Sequence, residues 1–208
     1  MIDRARGFVF VHIPKTAGMS MYAALGVDRG FGHRRLCDHA DTDGLFSFGF
    51  VRNPWDRLVS VYHYLRVGGR GNEADLAAQA AVADADTFDS FVVDLAEYQR
   101  RLSEVPARGW GVPVAGSADP DDRRYPHLLP QTTWTHESRA NPVLDFVGRY
   151  EQLERDVRTV GDRLGVPLVL GEENTSTRGD YPAYFGQTTR AIVAEAYRDD
   201  IEAFGYRF

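Results

Sequence analysis

The 208 residues are 43% apolar and 12% aromatic, enough to bury roughly 70% of the unfolded chain's surface in one folded domain, which excludes a disordered or fibrous chain. A balance of 24 basic against 30 acidic residues leaves a net charge of −6, so a general affinity for nucleic acid or an anionic membrane is not expected and any anion site must be local. The longest clean apolar run, Phe8 to Val11, falls far short of the roughly 20 residues that cross a bilayer. With no secretory apolar segment and a single cysteine, Cys37, a reducing cytoplasm is the expected setting.

Gly7 to Ile13 is a short β-branched and aromatic run without alternation, as expected of a parallel strand covered on both faces. Pro14 stops it, and Lys15 to Ser20 leads into a predicted helix over Met19 to Leu25. Phe46 to Val51 is a second strand candidate. It ends at Arg52-Asn53-Pro54 and is followed by Trp55, Leu58, Val59, Tyr62 and Leu65 at helical spacing, with Asn53 as N-cap and Pro54 at the first helical position. Gly68 to Gly71 break the pattern. A helical stretch from Glu73 to Phe91, interrupted near Asp84 to Thr87, continues to about Arg101. Ser103 to Pro130 carries five prolines and a charged patch, Asp119 to Arg124, and reads as a long loop, lid or acceptor region. Then come a strand over Val143 to Gly148, a helix over Tyr150 to Leu164 closed by Gly165, a short strand at Leu168 to Leu170, and an amphipathic helix from Gln187 to Phe204 with Ile192, Val193, Ala196, Tyr197 and Ile201 on one face. The alternation predicts an α/β three-layer sandwich with a mainly parallel sheet, as a single domain over residues 1–208.

Basic chemistry is unevenly supplied: 23 arginines accompany one lysine, Lys15. That lysine falls in the first strand–loop–helix turn, where backbone N–H groups and the helix N-terminus favour an anion. Gly18 allows close approach, and Thr16 and Ser20 offer hydroxyls. The spacing does not match a Walker nucleotide loop. Arg52, at the end of the second strand, is placed to meet a phosphate with a bidentate fork, and Ser60 shares a helix face with Asp56. Of six histidines, His33 and His39 are candidate general bases, and His12 reads as a structural residue of the strand. His33, Cys37 and His39 lack a fourth ligand, so no metal is expected.

The phrase Phe8 to Ser20, containing His12-Ile13-Pro14-Lys15-Thr16-Ala17-Gly18-Met19-Ser20, resembles the first signature of the family 2 carbohydrate sulfotransferases. Phe48 to Tyr62, with Arg52-Asn53-Pro54, resembles their second. Similarity continues through Leu129-Pro130-Gln131-Thr132, Val147 to Leu153, Asn174-Thr175-Ser176 and Ile201 to Tyr206. The resemblance implies a P-loop NTPase-like fold and transfer of a sulfuryl group from adenosine 3′-phosphate 5′-phosphosulfate (PAPS) to an acceptor hydroxyl of a glycan or small metabolite. It also implies that Lys15, Thr16, Ala17, Gly18, Met19 and Ser20 hold the phosphosulfate, with Lys15 stabilising the bridging oxygen and Met19 standing where the family has threonine. By the same resemblance Arg52 and Ser60 hold the 3′-phosphate, His33 is the catalytic base, Gln131 touches the acceptor and Arg178 closes over the nucleotide. Arg34, Arg35, Arg123 and Arg124 form a candidate arginine face for an anionic acceptor. A nucleotide kinase using a similar loop and a non-catalytic PAPS-binding protein are the alternative readings.

Overall fold

The computed structural model describes residues 1–27, 32–138, 141–171 and 179–208. The chain divides into two compact units, Met1–Arg52 with Gln131–Arg178 and Asn53–Pro130 with Gly179–Phe208.

The first unit is built on a four-stranded sheet in the order β1-β2-β3-β4, with β1 Ile2–Asp3, β2 Phe8–Val11, β3 Phe46–Val51 and β4 Phe146–Arg149. β1 is antiparallel to β2; β2, β3 and β4 run parallel, with Val11 opposite Gly49 and Val51 opposite Arg149. The expected mixed α/β architecture with a mostly parallel sheet is therefore present. All four residues of β2 are buried, which is why its sequence shows no alternation. Phe8, Phe10, Phe48 and Phe50 join Met21 and Tyr22 of helix α1 (Gly18–Ala24), Leu25 at its C-cap, and Val157 and Val160 of the helix Leu153–Leu164 in one core. Gly165 closes that last helix with a left-handed φ of 69°, a conformation that costs glycine nothing.

Leu168 to Leu170 is not a strand. The segment has no regular structure and, among the described residues, no ladder partner; Leu168 and Leu170 rest against the core. A helical turn, Thr132–Thr135, and a short antiparallel pair, His136–Ser138 with Asn141–Pro142, complete the unit.

The second unit is helical around its own core. Helix α2 (Pro54–Arg66) starts as its sequence dictates: the Asn53 side chain accepts from the Trp55 N–H at 3.1 Å and Pro54 occupies the first turn. The helices Glu73–Ala81, Phe88–Val93 and Leu95–Glu104 follow, with the break before Phe88 fixed by a reciprocal Thr87–Ser90 cap. The segment from Ser103 to Pro130 is fastened down. Val112–Pro113 pairs with Arg123–Arg124, and Val105, Ala107, Tyr125 and Leu128 enter the core. The terminal helix is two helices, Gln187–Ala196 and Arg198–Phe204. They part at Tyr197 (φ −119°, ψ 32°), whose buried hydroxyl donates to the Leu128 carbonyl at 3.1 Å. Among the described residues no helix is long and apolar enough to cross a membrane.

Candidate functional site

In the first unit, the turn between β2 and α1 is held in an uncommon backbone conformation. Lys15 and Ala17 have φ of 66° and 69°, and among the described residues only Asp41 shares a left-handed φ outside glycine. Each such residue costs about 1–2 kcal/mol, and strain of this kind persists where the surrounding structure enforces it. Thr16 does some of that enforcing: its buried hydroxyl donates to the Ile13 carbonyl at 2.9 Å, closing the loop from within. Gly18 is required from below. A Cβ there would lie 1.9 Å from the His12 imidazole, so the close approach it permits is that of His12. Ala17, the residue capping α1, supplies no side-chain acceptor, and a helix's first N–H groups have no acceptor within the helix. The start of α1 therefore follows directly on the turn that carries Lys15, with no side-chain cap.

Arg52 leaves the end of β3 directly toward this turn. Its Nη1 donates to the Lys15 carbonyl at 3.3 Å, and its guanidinium carbon stacks 3.9 Å from the Tyr150 ring centroid at the end of β4. Its main chain is clamped by Gln131: the Arg52 N–H donates to Gln131 Oε1 and Gln131 Nε2 donates to the Arg52 carbonyl, both at 2.8 Å. Gln131 is fully buried. Both ends of its amide are engaged by the Arg52 main chain.

His33 stands on the other side of the turn. Its Nδ1 is 2.8 Å from the His12 carbonyl. A carbonyl only accepts, so Nδ1 carries the proton and the neutral ring's basic lone pair is on Nε2. Trp134 Nε1 donates to the His33 carbonyl at 2.8 Å. The His12 ring is enclosed by Phe10, Tyr22 and His33, with the His33 centroid 4.3 Å away. Burial, followed by the charges of His33, the Met1 amine and Lys15, holds His12 well below the usual 6.5. His12 is a neutral packing residue under the loop, as its place in the strand predicts. His39 ends the turn Leu36–Asp38, and the exposed Cys37 lies in that turn.

A family model, described as the sulfotransferase family, matches residues 1–207. The chain belongs to the sulfotransferase family. No curated protein and no solved structure matches it significantly.

Membership supports sulfuryl transfer in general. In this sulfotransferase-family chain the second signature divides its work. Arg57, within the second unit, is buried and structural: it donates to the carbonyls of His127 at 3.2 Å and Leu129 at 2.6 Å and packs over Tyr197. Asp56 and Ser60 are partly exposed on α2. Arg178 and the Asn174-Thr175-Ser176 phrase lie outside the described residues. Of the candidate arginine face, Arg35 is bound to Asp38 at 2.8 Å, Arg124 pairs with Asp122, and the buried Arg123 donates to the Gly111 carbonyl. Among the described residues, no group of three or more His, Cys, Asp or Glu could hold a metal ion.

Proposed function

We propose that this protein transfers a sulfuryl group from PAPS to an acceptor hydroxyl, on a P-loop-like sulfotransferase fold. The observation that carries the reading is the Arg52–Lys15 contact at 3.3 Å: the guanidinium at the end of β3 reaches the main-chain carbonyl of the chain's one lysine, in the turn that follows the neighbouring parallel strand β2 and leads into a helix with no side-chain cap. Such a set suits two anionic groups on one small ligand better than a single phosphate.

Bound there, PAPS would supply a sulfuryl group activated by its bond to a phosphate oxygen. Backbone N–H groups from Ala17 to Ser20 hold the phosphosulfate, and Lys15 balances the charge left on the oxygen as that bond breaks. Arg52 holds the 3′-phosphate. The same role for Ser60 rests on the resemblance and is read out by Ser60→Ala. His33 Nε2 takes the acceptor's proton, its tautomer set by the Nδ1 bond to His12. The acceptor is a hydroxyl of a carbohydrate or a small metabolite.

The test is a thermal shift with adenosine 3′,5′-bisphosphate (PAP), against ATP with magnesium, followed by transfer of label from PAPS across an acceptor panel. At 100 times its Kd, PAP stabilises the fold by about 2.7 kcal/mol and labelled product appears. Stabilisation by ATP with magnesium alone overturns the reading in favour of a kinase. PAP binding without labelled product leaves a non-catalytic nucleotide-binding protein.

A further inference from the structure

Gln131 lies 79 positions from Arg52 and Trp134 lies 101 from His33, yet the two belong to one turn. Gln131 caps the helical turn Thr132–Thr135; its carbonyl accepts the Trp134 N–H at 3.0 Å and the Thr135 hydroxyl at 3.4 Å. Gln131, Trp134 and Thr135 are each fully buried. From one end of this turn the Gln131 amide takes both main-chain groups of Arg52. At the other end the Trp134 indole N–H holds the main-chain carbonyl of His33.

The chemistry explains the choice of side chains. Strand β3 makes its last ladder pair at Val51, so the peptide groups of Arg52 lie past the ladder and need partners of their own. A carboxamide carries the same donor and acceptor as a peptide and extends the ladder by one rung. Trp134 offers a rigid ring with a single donor, which fixes the His33 carbonyl without competing for its imidazole.

We infer that the Gln131–Thr135 turn is a positioning bracket, in which Gln131 sets the anion-gripping Arg52 and Trp134 sets the base His33, so that one element fixes the spacing between nucleotide and proton acceptor. The inference rests on the sulfotransferase reading given above. Neither residue touches the reacting atoms; each acts through its partner.

That division predicts opposite kinetic signatures. Gln131→Met, which keeps the length but loses both polar contacts, weakens PAP binding about tenfold with kcat within about twofold. Trp134→Phe, which keeps the ring but loses the N–H, lowers kcat about tenfold with the PAP Kd within about twofold. In an Arg52→Ala background Gln131→Met adds nothing to the loss of PAP affinity, and in a His33→Ala background Trp134→Phe adds nothing to the loss of rate. If Gln131→Met does not fold, Gln131→Glu takes its place, retaining the acceptor for the Arg52 N–H and losing the donor to its carbonyl. Additive effects, or equal losses of Kd and kcat in both variants, overturn the bracket and leave a structural turn. An Arg52→Ala protein that binds PAP with unchanged affinity overturns the nucleotide reading itself, a result separable from the first because it needs neither bracket variant.

Discussion

Helices α1 and α2 both begin just past the end of a parallel strand, and they treat their first turns in opposite ways. At α2 the orphan donors are met internally: Asn53 accepts from Trp55 and Pro54 brings no N–H at all. At α1 the capping position is an alanine with no acceptor, in a left-handed conformation, reached through a second strained residue. One helix start is capped by a side chain; the other has no side-chain cap and carries about 2–4 kcal/mol of backbone strain. Backbone strain of this kind clusters at functional sites, whereas a side-chain cap serves the fold. Under the proposed function the first signature contributes its turn to the anion grip and the second contributes a side chain, Arg52.

The contrast can be broken most directly at Lys15. Lys15→Ala is expected to lower sulfuryl transfer by about 10²–10³-fold with a far smaller change in melting temperature, measured by labelled-donor assay and calorimetry. Gly18→Ala drives a methyl group into the His12 ring and is expected to cost about 1–3 kcal/mol of stability; in a His12→Ala background the same substitution costs less, which urea titration reads as a coupling energy. His12 also sets a pH dependence. Because its folded-state value lies well below 6.5, the unfolded chain binds a proton near pH 6.5 that the folded chain refuses, so stability falls as pH drops below that point, by up to about 1.4 kcal/mol per unit. His12→Phe removes that slope from the melting temperature between pH 6.5 and 5. Asn53→Ala, at the filled cap, costs about 1 kcal/mol of stability and leaves PAP affinity unchanged. Smallest is Ala17→Gly, which relieves the left-handed φ at the expense of chain entropy and raises stability by about 0.5 kcal/mol.

Local signals carried far in this chain. The buried run of β2, the cap and periodicity of α2 and Gly165 all express physics that acts within a few residues, and each placed its element. What escaped is long-range. Gln131 enters the sequence reading only through the resemblance, as an acceptor contact, and only the fold brings the peptide groups of Arg52 to its amide. Gly18 signalled close approach without saying of what. The two-residue β1 is too short to show a pattern. Leu168 to Leu170 shows the opposite failure, an alternation created by packing where, among the described residues, no strand pairs with it. The break at Tyr197 depends on a hydrogen bond to Leu128 that no helical periodicity encodes.

Each of the two units draws on separated stretches of chain, and this sets a schedule for biosynthesis. The sheet cannot receive β4 until the whole of the intervening helical segment has been made, and the helical core takes Val193 and Tyr197 from the closing stretch. Neither half is finished by the ribosome before the other is begun, so apolar faces of both wait together for the last residues, a window in which a nascent chain depends on chaperones.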